Sequence, residues 1–433
     1  MLMRDLAAVQ HGNTAPVIIR GGVGSTFRDV AGAGGTDLSG VAPGDVVALV
    51  GDYTPESINS LIRLADLKAI VVPLTAGMEA SFPYFFGAAG VNAVVRDGRT
   101  ERVTDTRHDH PLLNHLRALG HSGLVLFSSG TTGQPKAVLH DFDLFLSHYR
   151  FRRQAPRTMN FLVFDHISGI NTLFSTLFNR GQVIVPSGRT PWAVLDDIER
   201  HGVEVLPATP TFLRMLLLSG LLEQRRGAIG SLRTVTYSTE PMDQATLDRY
   251  CAMLPGVDFR QSYGMSELGM MRVKSRSRDS LFISVGGDGV ETRVDGDSVL
   301  HIRAQSRSLG YLNAPMPFLD GWYNTGDVVE EEGGHLRIVG RMKQVINVGG
   351  IKILPDEIER VALLYPGVVC CKAEGVSNPI IGQHIEVTCE MAPGSAEDRA
   401  ALKAHFAVHL APAVQPHRIR VGPVSVNHRF KKL

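Results

Sequence analysis

The sequence is poor in cysteine, in net charge and in long apolar runs. Four cysteines in 433 residues, Cys251, Cys370, Cys371 and Cys389, build no disulfide framework, and none stands in a Cys-x-x-Cys pair or beside clustered histidines. That excludes a structural zinc site and fits a chain kept in a reducing cytoplasm. With 44 basic residues against 43 acidic ones the formal charge is +1, so bulk electrostatics point to no nucleic acid. No apolar run approaches the roughly 18 residues needed to cross a bilayer. Residues 1–12 carry Arg4 and Asp5 rather than the apolar stretch of a signal peptide, so no membrane partner is expected. The length exceeds what one core usually serves, and 44% hydrophobic with 20% charged residues is globular, so at least two domains are expected.

What is present is an alternation. Val46-Val47-Ala48-Leu49-Val50 reads as a buried strand. Thr54 then offers an N-cap hydroxyl with Pro55 at the first helical position, and Ile58, Leu61, Ile62 and Ala65 follow on one helical face. A strand over 69–72 completes the unit. The same unit recurs as strand 161–164 before helix 170–177, strand 183–185 before helix 193–199, strand 203–206 before helix 211–218, and strand 234–237 before helix 244–253. Such repetition predicts parallel sheets covered by helices. Beyond about residue 258 short strands and Gly-rich turns predict a small β region. Near Arg341 a third segment begins, in which Pro355 opens a helix with Ile358, Val361, Ala362 and Tyr365 on one face, and 385–388 reads as a strand. The expected architecture is α/β: a large N-terminal domain of stacked βα sheets plus a small β region, and a small α+β C-terminal domain. No clear opening unit is visible before Val46.

The most informative stretch runs from the apolar Leu124-Val125-Leu126-Phe127 into Ser128-Ser129-Gly130-Thr131-Thr132-Gly133-Gln134-Pro135-Lys136. Hydroxyls, glycines and one lysine offer a polyphosphate close backbone approach, N–H and O–H donors and a mobile cation. This is not a Walker A loop, because no Gly-Lys-Ser/Thr follows and Ala137-Val138-Leu139 reads as strand. Three further motifs come in order. They are Ser262-Tyr263-Gly264-Met265-Ser266-Glu267, then Trp322-Tyr323-Asn324-Thr325-Gly326-Asp327, then 340–359 with Arg341, Lys343 and Gly349-Gly350.

Together the four segments, across nearly the whole chain from Val46, resemble the adenylate-forming superfamily of acyl-CoA synthetases, carrier-protein adenylation domains and luciferases. The resemblance implies ATP-dependent activation of a small carboxylic acid to an acyl-adenylate with release of pyrophosphate, then transfer to a thiol. The thiol would be coenzyme A, or alternatively the phosphopantetheine of an acyl-carrier protein; a non-catalytic nucleotide-binding descendant is the remaining reading. Each motif also makes sense as part of a nucleotide site. Tyr263 offers a ring face to adenine, Gly264 lets the base approach the backbone, and Glu267 supplies the hard carboxylate oxygen that Mg²⁺ on a triphosphate prefers. Asp327 can accept both ribose hydroxyls.

The remaining roles follow from the resemblance. Arg341 is a second ribose contact. Lys343 takes the place of the hinge residue, dividing an ATP- and acid-binding domain over 1–342 from a mobile lid over 343–433. Gly349-Gly350 would let a thiol arm pass close to the backbone, or simply make a tight turn. Thr239-Glu240-Pro241, with Ser238, resembles the loop that contacts adenine and lines the acyl pocket, although the family more often has Gly-Gly or Gly-Glu where this chain has Ser238-Thr239. Asp165-His166, at the end of the expected strand 161–164, falls where the family gates the carboxylate, with Gly169 behind it. Asp165 would hold a substrate ammonium or cap the following helix. Near the end, Phe430-Lys431-Lys432 replaces the family's Gly-Lys, which makes Lys431 the expected catalytic lysine and Lys432 its substitute. The apolar and small residues around His166 and Ser238 favour a modest aromatic or medium-length acyl group.

Overall fold

The computed structural model describes residues 2–128, 134–147, 149, 156–287, 289–392 and 394–425. The chain divides into two units: Met1–Pro207 with Gly264–Met270 and Ala304–Tyr323, and Ala208–Tyr263 with Met271–Arg303 and Asn324–Leu433. Among the described residues no helix is long and apolar enough to cross a membrane.

In the first unit the opening βα unit forms where the sequence predicts it. Val46–Val50 is a buried strand, Thr54 accepts from Ser57 N, and Pro55 opens the helix Pro55–Asp66, whose Ile58, Leu61 and Ile62 are buried. A cap of this kind contributes about 1 kcal/mol. The strand lies in a sheet ordered Gly310–Tyr311, Ala137–Asp141, Gly123–Phe127, Ile70–Leu74, Val46–Val50, Ala93–Arg96, Arg99–Arg102. Its centre is parallel, but Ala137–Asp141 returns antiparallel beside Gly123–Phe127, and Gly310–Tyr311 pairs antiparallel with Ala137–Asp141. That return closes the base of the loop between them: Ser128 N donates to Lys136 O at 3.0 Å, and Lys136 N donates to Ser128 Oγ at 3.3 Å.

Two expectations are corrected here. Residues 161–164 are not a strand; the strand is Arg157–Met159, parallel to Gln182–Val185, and the helix that follows is Ile167–Phe178. Phe161, Leu162 and Phe164 are buried as loop. Tyr53 OH donates to Leu162 O at 2.9 Å, and the Tyr53 and Phe164 rings meet edge-on at 5.4 Å. A short apolar run signals burial and does not by itself distinguish strand from buried loop. The stretch before Val46 also has ordered elements. Helix Leu2–Val9 buries Leu2 and Leu6, and Ile18–Arg20 pairs parallel with Val183, Ile184 and Val185. Helix Phe27–Gly32 begins with a reciprocal capping box between Thr26 and Asp29.

In the second unit Thr234–Tyr237 and the helix Gln244–Met253 have their expected bounds, the helix capped by Asp243 Oδ1 accepting from Thr246 N. Thr234–Tyr237 pairs parallel with Asp258–Gln261. The β region is an antiparallel sheet in which Trp322–Glu332 and His335–Arg341 are neighbours and Asp327 lies opposite Arg341. Lys343 is exposed in the 3-10 turn Met342–Gln344, after which the chain enters a separate sheet of Ile346–Val348, Ile351–Ile353, Val368–Asn378, Gly382–Met391 and Arg418–Val421. Helices Pro355–Leu363 and Arg399–His409 cover it around a core of Ile358, Ile385, Val387, Leu402 and Phe406. All four cysteines are free thiols; Cys371 and Cys389 face each other across two strands with their Sγ atoms 3.8 Å apart.

Candidate active site

Each unit carries candidate site residues of its own. In the first, Ser129, Gly130, Thr131, Thr132 and Gly133 lie outside the described residues, but both ends of their loop are placed. Lys136 Nζ sits 4.6 Å from the ring centroid of Tyr311, whose hydroxyl donates to Glu267 Oε1 at 2.7 Å. Burial first, and then the Glu267 carboxylate, push the Tyr311 phenol well above its ordinary value, so it serves as a proton-bearing donor. Glu267 itself is 7% exposed. Its backbone is held as well: Ser308 N donates to Glu267 O at 2.7 Å, and Ser306 Oγ donates to Leu268 O at 3.0 Å. Buried His140 lies near the Ser266 main chain, and burial pushes its imidazole down to about 4. A buried carboxylate that accepts from one hydroxyl has lone pairs left for a cation, which fits Mg²⁺, an ion that takes one or two protein carboxylates and fills its other positions with water and phosphate oxygens.

Gly264 and Met265 pair with Gly269 and Met270 in a small hairpin. A Cβ at Gly264 would lie 2.7 Å from Gly269 O, so the hairpin itself requires the glycine. His166 caps helix Ile167–Phe178, with Nδ1 accepting from Ser168 N at 3.1 Å. A neutral imidazole that accepts at Nδ1 carries its proton on Nε2, a donor suited to a carboxylate. Asp165, 5% exposed, is therefore not the cap of that helix. Gly169 packs so closely that a Cβ would collide with Tyr53 OH and Val163 O.

In the second unit Asp327, 3% exposed, receives a hydrogen bond on each oxygen: Tyr263 OH at 2.6 Å on Oδ2 and Arg341 Nε at 2.9 Å on Oδ1. Burial, followed by the Asp327 charge, raises the Tyr263 phenol well above its usual range. Ser262 N donates to Tyr237 O at 2.8 Å and so ties the start of this motif to the Thr234–Tyr237 strand. Thr239, where the family more often has glycine, has φ 80°, and its buried Oγ1 has no hydrogen-bond partner. A β-branched residue in that region costs roughly 1–2 kcal/mol, strain of the kind that clusters at functional loops. Ser238 N reaches Ala208 O at 3.4 Å. Glu240 Oε1 accepts from Thr211 N at 2.9 Å, satisfying a first-turn amide of helix Pro210–Leu218, and Pro241 O accepts from Arg214 Nη2 at 3.4 Å. Gly349 and Gly350, with φ 57° and 92°, form the two-residue turn between Ile346–Val348 and Ile351–Ile353, and a Cβ on either would meet nothing within 4 Å. Lys431 and Lys432 lie outside the described residues.

Sequence reasoning missed Tyr311, His140 and Asn313. Asn313 Oδ1 accepts from Ala137 N at 2.8 Å and its Nδ2 donates to Pro135 O at 3.1 Å, so it braces the exit of the phosphate-type loop. The available signal was slight: Gly310-Tyr311-Leu312-Asn313 places two polar residues at strand period.

The sequence matches a family described as AMP-binding enzyme over residues 33–294, more than half of the chain. A feruloyl-CoA synthase of an Amycolatopsis species is 27% identical, over 93% of this chain and 89% of that protein. A fatty acid–[acyl-carrier-protein] ligase of Mycobacterium marinum is 26% identical, over 73% of this chain and 67% of its own. Among solved structures, the crystal structure of an anthranilate CoA ligase in complex with anthranoyl-AMP superposes with a TM-score of 0.82 at 17% identity, covering 100% of this chain and 95% of that one.

Proposed function

The chain belongs to the AMP-binding enzyme family, and from that premise we propose that it joins a small carboxylic acid to coenzyme A through an acyl-adenylate. It is an AMP-forming acid–thiol ligase. A carboxylate does not accept a thiol directly, because oxide is too poor a leaving group. Attack of a carboxylate oxygen on the α-phosphorus of ATP expels pyrophosphate and leaves an acyl-adenylate. A thiolate then attacks the acyl carbon, forms the thioester and releases AMP.

In this reading Asp327 accepts the ribose hydroxyls, its orientation set by Tyr263 and Arg341. Lys136 and the residues from Ser128 onward bind the β- and γ-phosphates. Glu267 would hold Mg²⁺, which when bound neutralises triphosphate charge. His166 donates from Nε2 to the acid's carboxylate, while Ser238 and Thr239 shape the acyl pocket. Lys431 neutralises charge on the reacting oxygens. The segment 343–433 then turns about Met342–Gln344, withdraws Lys431 and presents Gly349-Gly350 to the thiol.

The observation that carries the reading is the buried Asp327, bonded on both oxygens within a chain of this family. The feruloyl-CoA synthase relative favours an aromatic acid and coenzyme A. The Mycobacterium marinum relative favours a second reading, in which the thiol belongs to an acyl-carrier protein. Acid-dependent pyrophosphate release across aromatic, medium-chain and amino acids tests the first step. Repeating it with coenzyme A or with a phosphopantetheinylated carrier, and measuring thioester, tests the second. No pyrophosphate from any acid, in a protein that still binds ATP, would leave only a nucleotide-binding descendant.

A further inference from the structure

We propose that Tyr311 is the positioning residue of the triphosphate end, holding Lys136 and Glu267 ready while preventing them from neutralising each other. The inference rests on the assignment of ATP and Mg²⁺ to these residues above. One side chain touches both charges: Lys136 Nζ lies over its ring at 4.6 Å from the centroid, and its hydroxyl donates to Glu267 Oε1 at 2.7 Å. Among the described residues no ion pair joins Lys136 to Glu267. A lysine and a glutamate with nothing between them would pair, and in a mostly buried place that pairing is strong. The pair would disable both groups, since the lysine must reach a phosphate and the carboxylate must keep lone pairs for a cation. A ring face attracts an ammonium more weakly than a carboxylate does, so it holds the lysine and yields it to a phosphate.

The backbone around Tyr311 is built for this task. Tyr311 is 6% exposed and lies opposite Val138 on the strand that follows Lys136. Leu309 N donates to Leu139 O at 2.7 Å and Leu312 N to Ala137 O at 2.9 Å. Asn313 adds its side-chain bonds to Ala137 N and Pro135 O, with Tyr84 OH donating to Pro135 O at 2.6 Å. The tyrosine and the exit of the loop therefore belong to one ladder, and the ring keeps its place relative to Lys136 when the lysine leaves it. Glu267 is anchored to the same segment through Ser308 N.

The test is ATP binding by calorimetry on the full chain, with and without Mg²⁺, for wild type, Tyr311→Phe and Tyr311→Leu, alongside the thermal midpoint of each. Tyr311→Phe keeps the ring and removes the donor to Glu267; the factor by which Mg²⁺ tightens ATP is expected to fall about ten-fold, with metal-free ATP affinity within about two-fold of wild type. Tyr311→Leu removes the ring as well and is expected to weaken metal-free ATP by a further factor of about five, as Lys136 becomes free to pair with Glu267. If Tyr311→Phe keeps the wild-type Mg²⁺ factor and only its thermal midpoint falls, the residue is merely structural and the inference is overturned. Tyr311→Phe decides the matter should Tyr311→Leu fail to fold. A wild type whose ATP binding gains nothing from Mg²⁺ overturns the metal assignment, and this inference with it.

Discussion

Asp327 and Glu267 invite comparison. Both carboxylates are buried, 3% and 7% exposed, and each accepts from a tyrosine, Tyr263 at 2.6 Å and Tyr311 at 2.7 Å. They differ in the second partner. Asp327 also pairs with the Arg341 guanidinium, whereas beside Glu267's tyrosine the Lys136 ammonium lies over the ring. A carboxylate already balanced by an arginine is suited to accept neutral hydroxyls, because it remains paired when the ligand leaves. One held by a neutral phenol retains lone pairs that suit a metal ion. In the proposed reading the same residue chemistry serves two ends of a nucleotide, and the two carboxylates differ in where the compensating cation sits.

Glu267→Gln should break the comparison most sharply. It keeps the shape and the Tyr311 bond but loses the charge, and pyrophosphate release should fall by roughly 10²–10³-fold with the thermal midpoint nearly unchanged. A loss below about ten-fold would remove Glu267 as the metal-binding group.

The two sides should also respond differently to acid. His140 lies on the Glu267 side, near the Ser266 main chain, and its imidazole is pushed down to about 4 by burial. The unfolded chain takes up this proton near the ordinary value of about 6.5 while the folded chain does not, so the unfolded state binds more protons between these values. The contribution is fully present above about pH 6.5 and is lost as the pH falls through about 4, amounting to about 3 kcal/mol. Urea denaturation across that window should show this slope, and His140→Asn should flatten it.

Asp327→Asn leaves Arg341 without its counter-ion and should raise the KM for ATP about thirty-fold, with kcat changed only a few-fold. A fall in kcat at constant KM would contradict a ribose-binding role. The smallest effect is expected from Tyr263→Phe, about a five-fold rise in KM for ATP with the Mg²⁺ dependence untouched. Tyr311→Phe should do the reverse, and equal behaviour of the two tyrosine variants would erase the distinction between the carboxylates.

Much of this could be read from the chain before folding. Thr54 and Pro55 announced a helix start correctly, and strand 234–237 and helix 244–253 had the right bounds, because caps and periodicity are local signals. The run at 161–164 misled because Phe161 and Phe164 are buried without pairing as strand. The elements before Val46 escaped notice because they are short and one of them, Ile18–Arg20, finds its partner at 183–185. Gly264 and Gly169 were identified as site glycines, yet close backbone and side-chain packing alone would require them.

The sequence by itself determined the βα alternation, the family and the residue types able to bind a nucleotide, since these depend on pattern and on motifs read along one chain. Tertiary structure alone decided their partners. Whether a glutamate is neutralised, left charged or held by a phenol depends on which side chain arrives from elsewhere, here Tyr311 from 44 residues away. Local pattern carries no record of that meeting, because it is set by the register of a two-residue strand on its neighbour.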